Sequence, residues 1–165
     1  MVPVIIWLIA LFFLTTIHVV SVKELRNLKG VLERLLLYMF LINVALAGFW
    51  AFFGHVFFAD EAAKFMGYGP GSPFQYEVGI ANLAFGVLGL LCIWERGDFW
   101  LATAVGYSIF LMGSGIGHVR EMVINHNDAP GNTGVVLWFH FVFPLLLLSV
   151  LTVYRYLVHH HKKSL

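Results

Sequence analysis

Five long apolar blocks, at about residues 3–22, 31–58, 74–94, 99–122 and 135–158, constrain this chain more than anything else in it. Each reaches the roughly 18–20 residues that a helix needs to cross the hydrocarbon layer of a bilayer. Together they use up nearly all of the 165 residues, so no room is left for a separate soluble domain. The expected architecture is an all-α integral membrane protein. A single domain, residues 1–165, would be a compact bundle of five transmembrane helices. Composition agrees: 60% of the residues are hydrophobic and only 12% charged, against about a quarter charged in an ordinary globular domain.

Several function classes drop out at once. The formal net charge of +1 and the absence of a basic patch give no footprint for nucleic acid. Cys92 is the one cysteine, so one chain offers no disulfide and no thiolate cluster. The start, Met-Val-Pro-Val, lacks the basic region of a secretion signal, and the first block reads as a retained span.

Loop charges set the expected orientation. Lys23, Arg26, Lys29 and Arg34 crowd the first loop, Arg96 lies in the third, and Arg155, Lys162 and Lys163 are near the C-terminus. The second and fourth loops carry only Lys64 and Arg120. Basic residues favour the cytoplasmic side, which puts the C-terminus inside and the N-terminus outside. The expected location is the cytoplasmic membrane, with multiple passes and the lipid bilayer as the constant partner.

That orientation gathers ionisable groups near the outer leaflet. His55 falls near the outer end of span two, Glu77 opens span three, His118 and Glu121 close span four, and His140 lies just inside span five. Span four carries a polar stripe, with Tyr107, Ser114, His118, Glu121 and Asn125 at spacings of seven, four, three and four, which is one face of an α-helix. Asn82 and Tyr107 are candidate cavity groups, and Ser114, Asn125, His126 and Asp128 candidate supporting ones. The stretch "GIGHVREMVINHNDAPGNTG", residues 115–134, is the densest in such side chains. Its last part, with Pro130, Gly131 and Gly134, reads as a tight turn that would bring His140 back against His118.

Ionisable groups within spans are costly and are functional hypotheses by default. His118, Glu121, His140, Glu77 and His55 form a nitrogen and carboxylate donor set suited to a divalent transition metal such as zinc, iron or copper. A mononuclear site is expected over a dinuclear one. The Glu-x-x-His repeat of di-iron bundles is replaced by a single His-x-x-Glu, and no second bridging carboxylate is present unless Asp128 folds back. Haem b, held by His140 with either His118 or His55, is the alternative cofactor. A structural polar network with no cofactor stands beside both.

Helix packing is expected along three stripes of small residues: Asn43, Ala47, Ala51 and Gly54 in span two; Gly79, Asn82, Gly86 and Gly89 in span three; Gly113 and Gly117 in span four. Pro144, four residues after His140, should disturb the helix beside it. "ADEAAKFMGY" reads as a short interfacial helix begun by Asp60 and stopped by Gly67.

The segments "YEVGIANLAFGVLGL", "GHVREM" and "HNDAPGNTG" resemble a family of small prokaryotic membrane proteins with no assigned function, over about residues 74–158. That resemblance implies no mechanism. The residues themselves leave several functions open. One is a metal protein acting on a lipophilic substrate or in redox chemistry. Another is a non-enzymatic accessory or assembly subunit of a membrane complex. A third is a small transporter or a haem-binding electron-transfer protein. A homo-oligomer is compatible with each, and whether the protein is an enzyme stays open.

Overall fold

A computed structural model describes residues 2–163, with side chains described for residues 5–160. All regular structure among the described residues is helical. Helix α1 is Val2–Ser21, and a short 3₁₀ turn, Lys23–Leu25, leads to α2, Leu28–Tyr38. A π-helical stretch, Met39–Leu46, joins α2 to α3, Ala47–Phe57. Then follow α4, Ala59–Phe65; α5, Phe74–Leu91; α6, Asp98–Ile124; and α7, Gly134–Lys163.

Four helical stretches are long and apolar enough to cross a membrane: Leu28–Phe57, Phe74–Leu91, Asp98–Ile124 and Gly134–His160. Their boundaries follow the apolar blocks of the sequence to within a few residues. Helix α1 contributes a further apolar stretch, Ile5–Ser21. The outside of the bundle carries large apolar side chains such as Ile9, Phe12, Ile109, Ile116 and Leu145, a surface that belongs in lipid and not in water.

Local chemistry sets the helix ends. Asn27 caps α2 by accepting from Gly30 N–H at 2.9 Å. Gly67, with φ at +76°, ends the α4 region in the left-handed conformation, as the sequence led us to expect. The helix itself begins at Ala59, one residue before Asp60. Pro144 is accommodated inside a helix that runs unbroken from Gly134 to Lys163.

Small residues let the pairs of helices touch. Gly79, Asn82, Gly86 and Gly89 are the four buried residues of α5, the stripe expected from the sequence. They meet the rod Leu28–Phe57 at backbone distance: a Cβ on Gly89 would lie 2.7 Å from Ala45 N, and one on Gly48 would lie 2.7 Å from Asn82 O. The partner face on the rod differs from the expected one. Ala47, Ala51 and Gly54 border a cavity, while Gly48, Phe49 and Val56 meet α5. The π stretch explains the shift. Ala47 N–H donates to Ile42 O, five residues back, and each such turn takes up one extra residue. The face of buried Asn43 therefore continues at Gly48 and not at Ala47.

A second correction concerns α6. Nothing lies within 4 Å of a Cβ built on Gly113 or Gly117, so the expected packing pair does not pack. Gly115, on another side of the helix, does: its Cβ would meet Phe141 Cζ at 2.9 Å and His140 Cβ at 3.0 Å. Gly115 thus sets how closely α6 and α7 approach beside His140.

The two ends of the bundle are filled differently. Around the basic end, Leu36, Met39, Phe40, Trp100, Leu147 and Leu151 are almost wholly buried. Arg96 reaches Glu33 at 2.8 Å and stacks over Trp100 at 5.1 Å, and Arg155 pairs with Asp98 at 2.9 Å. At the opposite end the helices part, and α4 lies across the gap.

Candidate functional site

The gap is a cavity of about 670 Å³, bounded by α1, α3, α5, α6 and α7 and covered by α4 and the loop after it. Most of its wall is apolar, with Trp50, Phe74, Phe110 and Phe139 among the lining residues. His55, Asn82, Tyr107, Ser114, His118, Glu121 and His140 also line it, so seven of the expected site residues share one space. Glu77 does not. It is exposed and absent from the wall, because Gln75, Val78 and Asn82 hold the cavity face of α5 at spacings of three and four, and Glu77 projects from another side. Asn125, His126 and Asp128 are exposed and belong to the loop after α6.

His118 and His140 are the centre of the polar set. Their ring centroids are 4.8 Å apart, edge to face. His118 is 4% exposed. Its Nδ1 lies 2.8 Å from Asn132 Oδ1, while Asn132 Nδ2 donates to His118 O at 3.2 Å and to Asn127 O at 2.8 Å. Two carbonyl acceptors fix which way the Asn132 amide points, so its oxygen accepts and His118 Nδ1 carries the hydrogen. His140 Nδ1 lies 2.7 Å from Val136 O. A carbonyl only accepts, so His140 Nδ1 is likewise the donor. In the neutral ring the other nitrogen is then an acceptor, and each histidine keeps an Nε2 lone pair. A third histidine, His55, has its Nδ1 2.5 Å from Gln75 Oε1.

The remaining wall groups are bonded within the protein. Tyr107 donates to Asn43 O at 3.0 Å, Asn82 to Val78 O at 2.9 Å and Ser114 to Phe110 O at 2.9 Å. Glu121 accepts from Asn125 Nδ2 at 2.8 Å. Burial, and secondarily the Glu121 carboxylate, raise the Tyr68 phenol above its ordinary range.

The loop "HNDAPGNTG" is a fastening as well as a turn. Gly131 N–H donates to Phe65 O at 2.9 Å, and Asn127 Nδ2 donates to Met66 O at 2.9 Å. Gly67 faces Asn127 Oδ1 so closely that a Cβ would collide with it, and a Cβ on Gly131 would lie 2.6 Å from Phe65 Cδ1. His126 adopts φ of +51°, a left-handed conformation that lets the chain reverse there. Asn132, fully buried, links this fastening to His118. Asn132 is not among the candidate site residues expected from the sequence. The one available signal was an amide beside Gly131 in a hairpin close to a buried histidine.

Among the described residues, no group of three or more His, Cys, Asp or Glu side chains is placed to hold a metal ion. The five-residue donor set expected from the sequence is therefore not assembled. His118 and His140 are adjacent, Glu121 is bonded to Asn125, and Glu77 lies outside the cavity.

Comparison with curated proteins and with solved structures returns no match. The DUF6790 family, described as a family of unknown function, matches residues 1–160. With nearly its whole length covered, the chain belongs to this family of unknown function.

Proposed function

We propose that this is a five-span protein of the cytoplasmic membrane, N-terminus outside and C-terminus inside, whose outer cavity binds a lipophilic small molecule. One observation carries this reading: a largely apolar space of about 670 Å³ with the His118–His140 pair in its wall. Small-molecule sites commonly fall between about 300 and 1,000 Å³ and combine an apolar lining with a few convergent polar groups. Counting α1 as a span and applying the basic-loop rule place the cavity at the outer leaflet. The test is native mass spectrometry of untagged protein released gently from its own membrane, with chemical analysis of co-purifying small molecules. A stoichiometric lipophilic species, lost when Gly117 at the wall becomes Trp, supports the reading. An empty cavity in a stable protein moves the accessory-subunit reading to the front.

A metal-centred function is the second reading. The observation favouring it is that each ring gives its Nδ1 hydrogen to a fixed acceptor and keeps Nε2, the arrangement usual for metal-binding histidines. Two imidazoles side by side on one ion, with bonds of about 2 Å, would have centroids about 5 Å apart, compatible with the separation here. Haem held between these two rings fits poorly, since opposite ligation would need about 6 Å. Elemental analysis decides: one zinc, iron or copper per chain, lost in His118→Ala and in His140→Ala, supports metal, and a metal-free protein ends it.

A further inference from the structure

We infer that the cavity selects an amphiphile whose head group donates hydrogen bonds, such as an alcohol or a phenol, over one that only accepts them. The inference rests on the cavity reading above and concerns the polarity of its ligand.

The argument is a census of hydrogens. Three buried side chains supply polar atoms to the wall: His118 at 4% exposure, Tyr107 at 3% and Asn82 at 7%. His118 Nδ1 and Tyr107 have committed their hydrogens to the protein, and Asn82 one of its two amide hydrogens. His118 Nδ1 donates to Asn132, Tyr107 to Asn43 O and Asn82 to Val78 O. The half-buried groups beside them have done the same, with Ser114 donating to Phe110 O and His140 to Val136 O. What these five residues still offer is chiefly lone pairs: two imidazole Nε2 atoms, an amide Oδ1 and two hydroxyl oxygens, against the one remaining Asn82 amide hydrogen. The imidazole nitrogens and the amide oxygen are not among the fully enclosed atoms that lack a partner, and their residues line the cavity.

The donors left over lie elsewhere on the wall. They include the Tyr68 and Ser72 hydroxyls, the Gln75 amide, the indoles of Trp7 and Trp50 and the Arg120 guanidinium, all on half-buried or exposed residues. Arg120 shares the wall with Glu121, so the formal charges on the wall sum to zero. A carboxylate or ether head brought to His118 and His140 would meet lone pairs with lone pairs. A polar group desolvated without a partner costs more than a bond gains. A hydroxyl head can donate to either Nε2 and accept from the rim.

The experiment uses the full chain in lipid nanodiscs, corrected by empty nanodiscs, and three probes with the same dodecyl tail on a ring: 4-dodecylphenol, its methyl ether and 4-dodecylbenzoate. Binding is read by native mass spectrometry, and the histidine nitrogens by ¹⁵N NMR. The expected result is phenol bound at least about tenfold more tightly than its ether, one hydrogen bond's worth, with a shift of an imidazole acceptor nitrogen. In His140→Phe the preference should shrink by several-fold. Phenol and ether bound equally, with unmoved nitrogen signals, overturn the inference while leaving the cavity reading standing. Tightest binding of 4-dodecylbenzoate overturns it in favour of an Arg120-directed anion. Binding of none of the three overturns the cavity reading itself.

Discussion

Replacing Asn132 by alanine removes a side chain that is fully buried and makes three hydrogen bonds, to His118 Nδ1, His118 O and Asn127 O. The loss is not shared equally. His118 O belongs to a helix and retains its helical environment, so its share is small. His118 Nδ1–H is left buried and unpaired, at about 1–3 kcal/mol, and Asn127 O adds about 1 kcal/mol. The expected destabilisation is about 2–4 kcal/mol. For a chain of this length each kcal/mol moves the thermal midpoint by roughly 2–4 °C, so the midpoint should fall by roughly 5–15 °C. Cys92 provides the assay. It is the chain's one cysteine and wholly buried, so a thiol-reactive fluorophore reports unfolding. Asn125→Ala is the control, because Asn125 is exposed and its side chain meets only Glu121, and such surface changes stay within about 0.5 kcal/mol. If Asn132→Ala loses no more than Asn125→Ala, Asn132 does not hold the site as described.

Glycine substitutions should divide by contact and not by motif. Gly89→Ala pushes a methyl against Ala45 N and should cost about 1–3 kcal/mol, whereas Gly113→Ala meets open space and should be neutral or stabilising by up to about 1 kcal/mol; the same thiol-labelling melts check both. Gly67→Ala forces a side chain into a positive φ and against Asn127, so hydrogen exchange of the Gly131 amide, which Phe65 O protects, should accelerate at least tenfold; unchanged protection refutes the fastening. Because the Tyr68 phenol is raised, the folded protein holds that proton to higher pH than the unfolded chain does. Stability should therefore fall as pH climbs past about 10. Tryptophan-fluorescence melts between about pH 9 and pH 11 should show a shallower fall in Tyr68→Phe, and equal slopes would count against it.

The all-helical bundle and its four long apolar helices were legible because apolar blocks of that length admit few other arrangements, and the α5 stripe because Gly79, Gly86 and Gly89 fall on one face with Asn82. What one chain of letters does not show is which of several small faces finds a partner. Gly113 and Gly117 look as suited to packing as Gly115, yet only Gly115 meets α7. The π stretch at Met39–Leu46 carries no turn residue to announce it, and it moved the α3 packing face by one position. The site was half legible. His55, His118, Glu121 and His140 do border one cavity, but Gln75 and Asn132, which bond His55 and His118, carry no pattern in the sequence that marks them as partners. Glu77 was assigned by depth alone, and depth does not fix direction around a helix.

The fastening between residues 65–67 and 127–131 joins positions about sixty apart in the chain, with α5 and α6 between them. It cannot form while the ribosome is still making α6, since neither Asn127 nor Gly131 has yet appeared. For much of synthesis α4 is a cover without this fastening. Long-range contacts of this kind close late, after the entropy of the intervening loop has been overcome. The cavity is thus the last part of the molecule to be finished. A chain truncated after α6 would keep His55, His118 and the α3–α5 pair, but would lack both its closed roof and the second histidine of the pair.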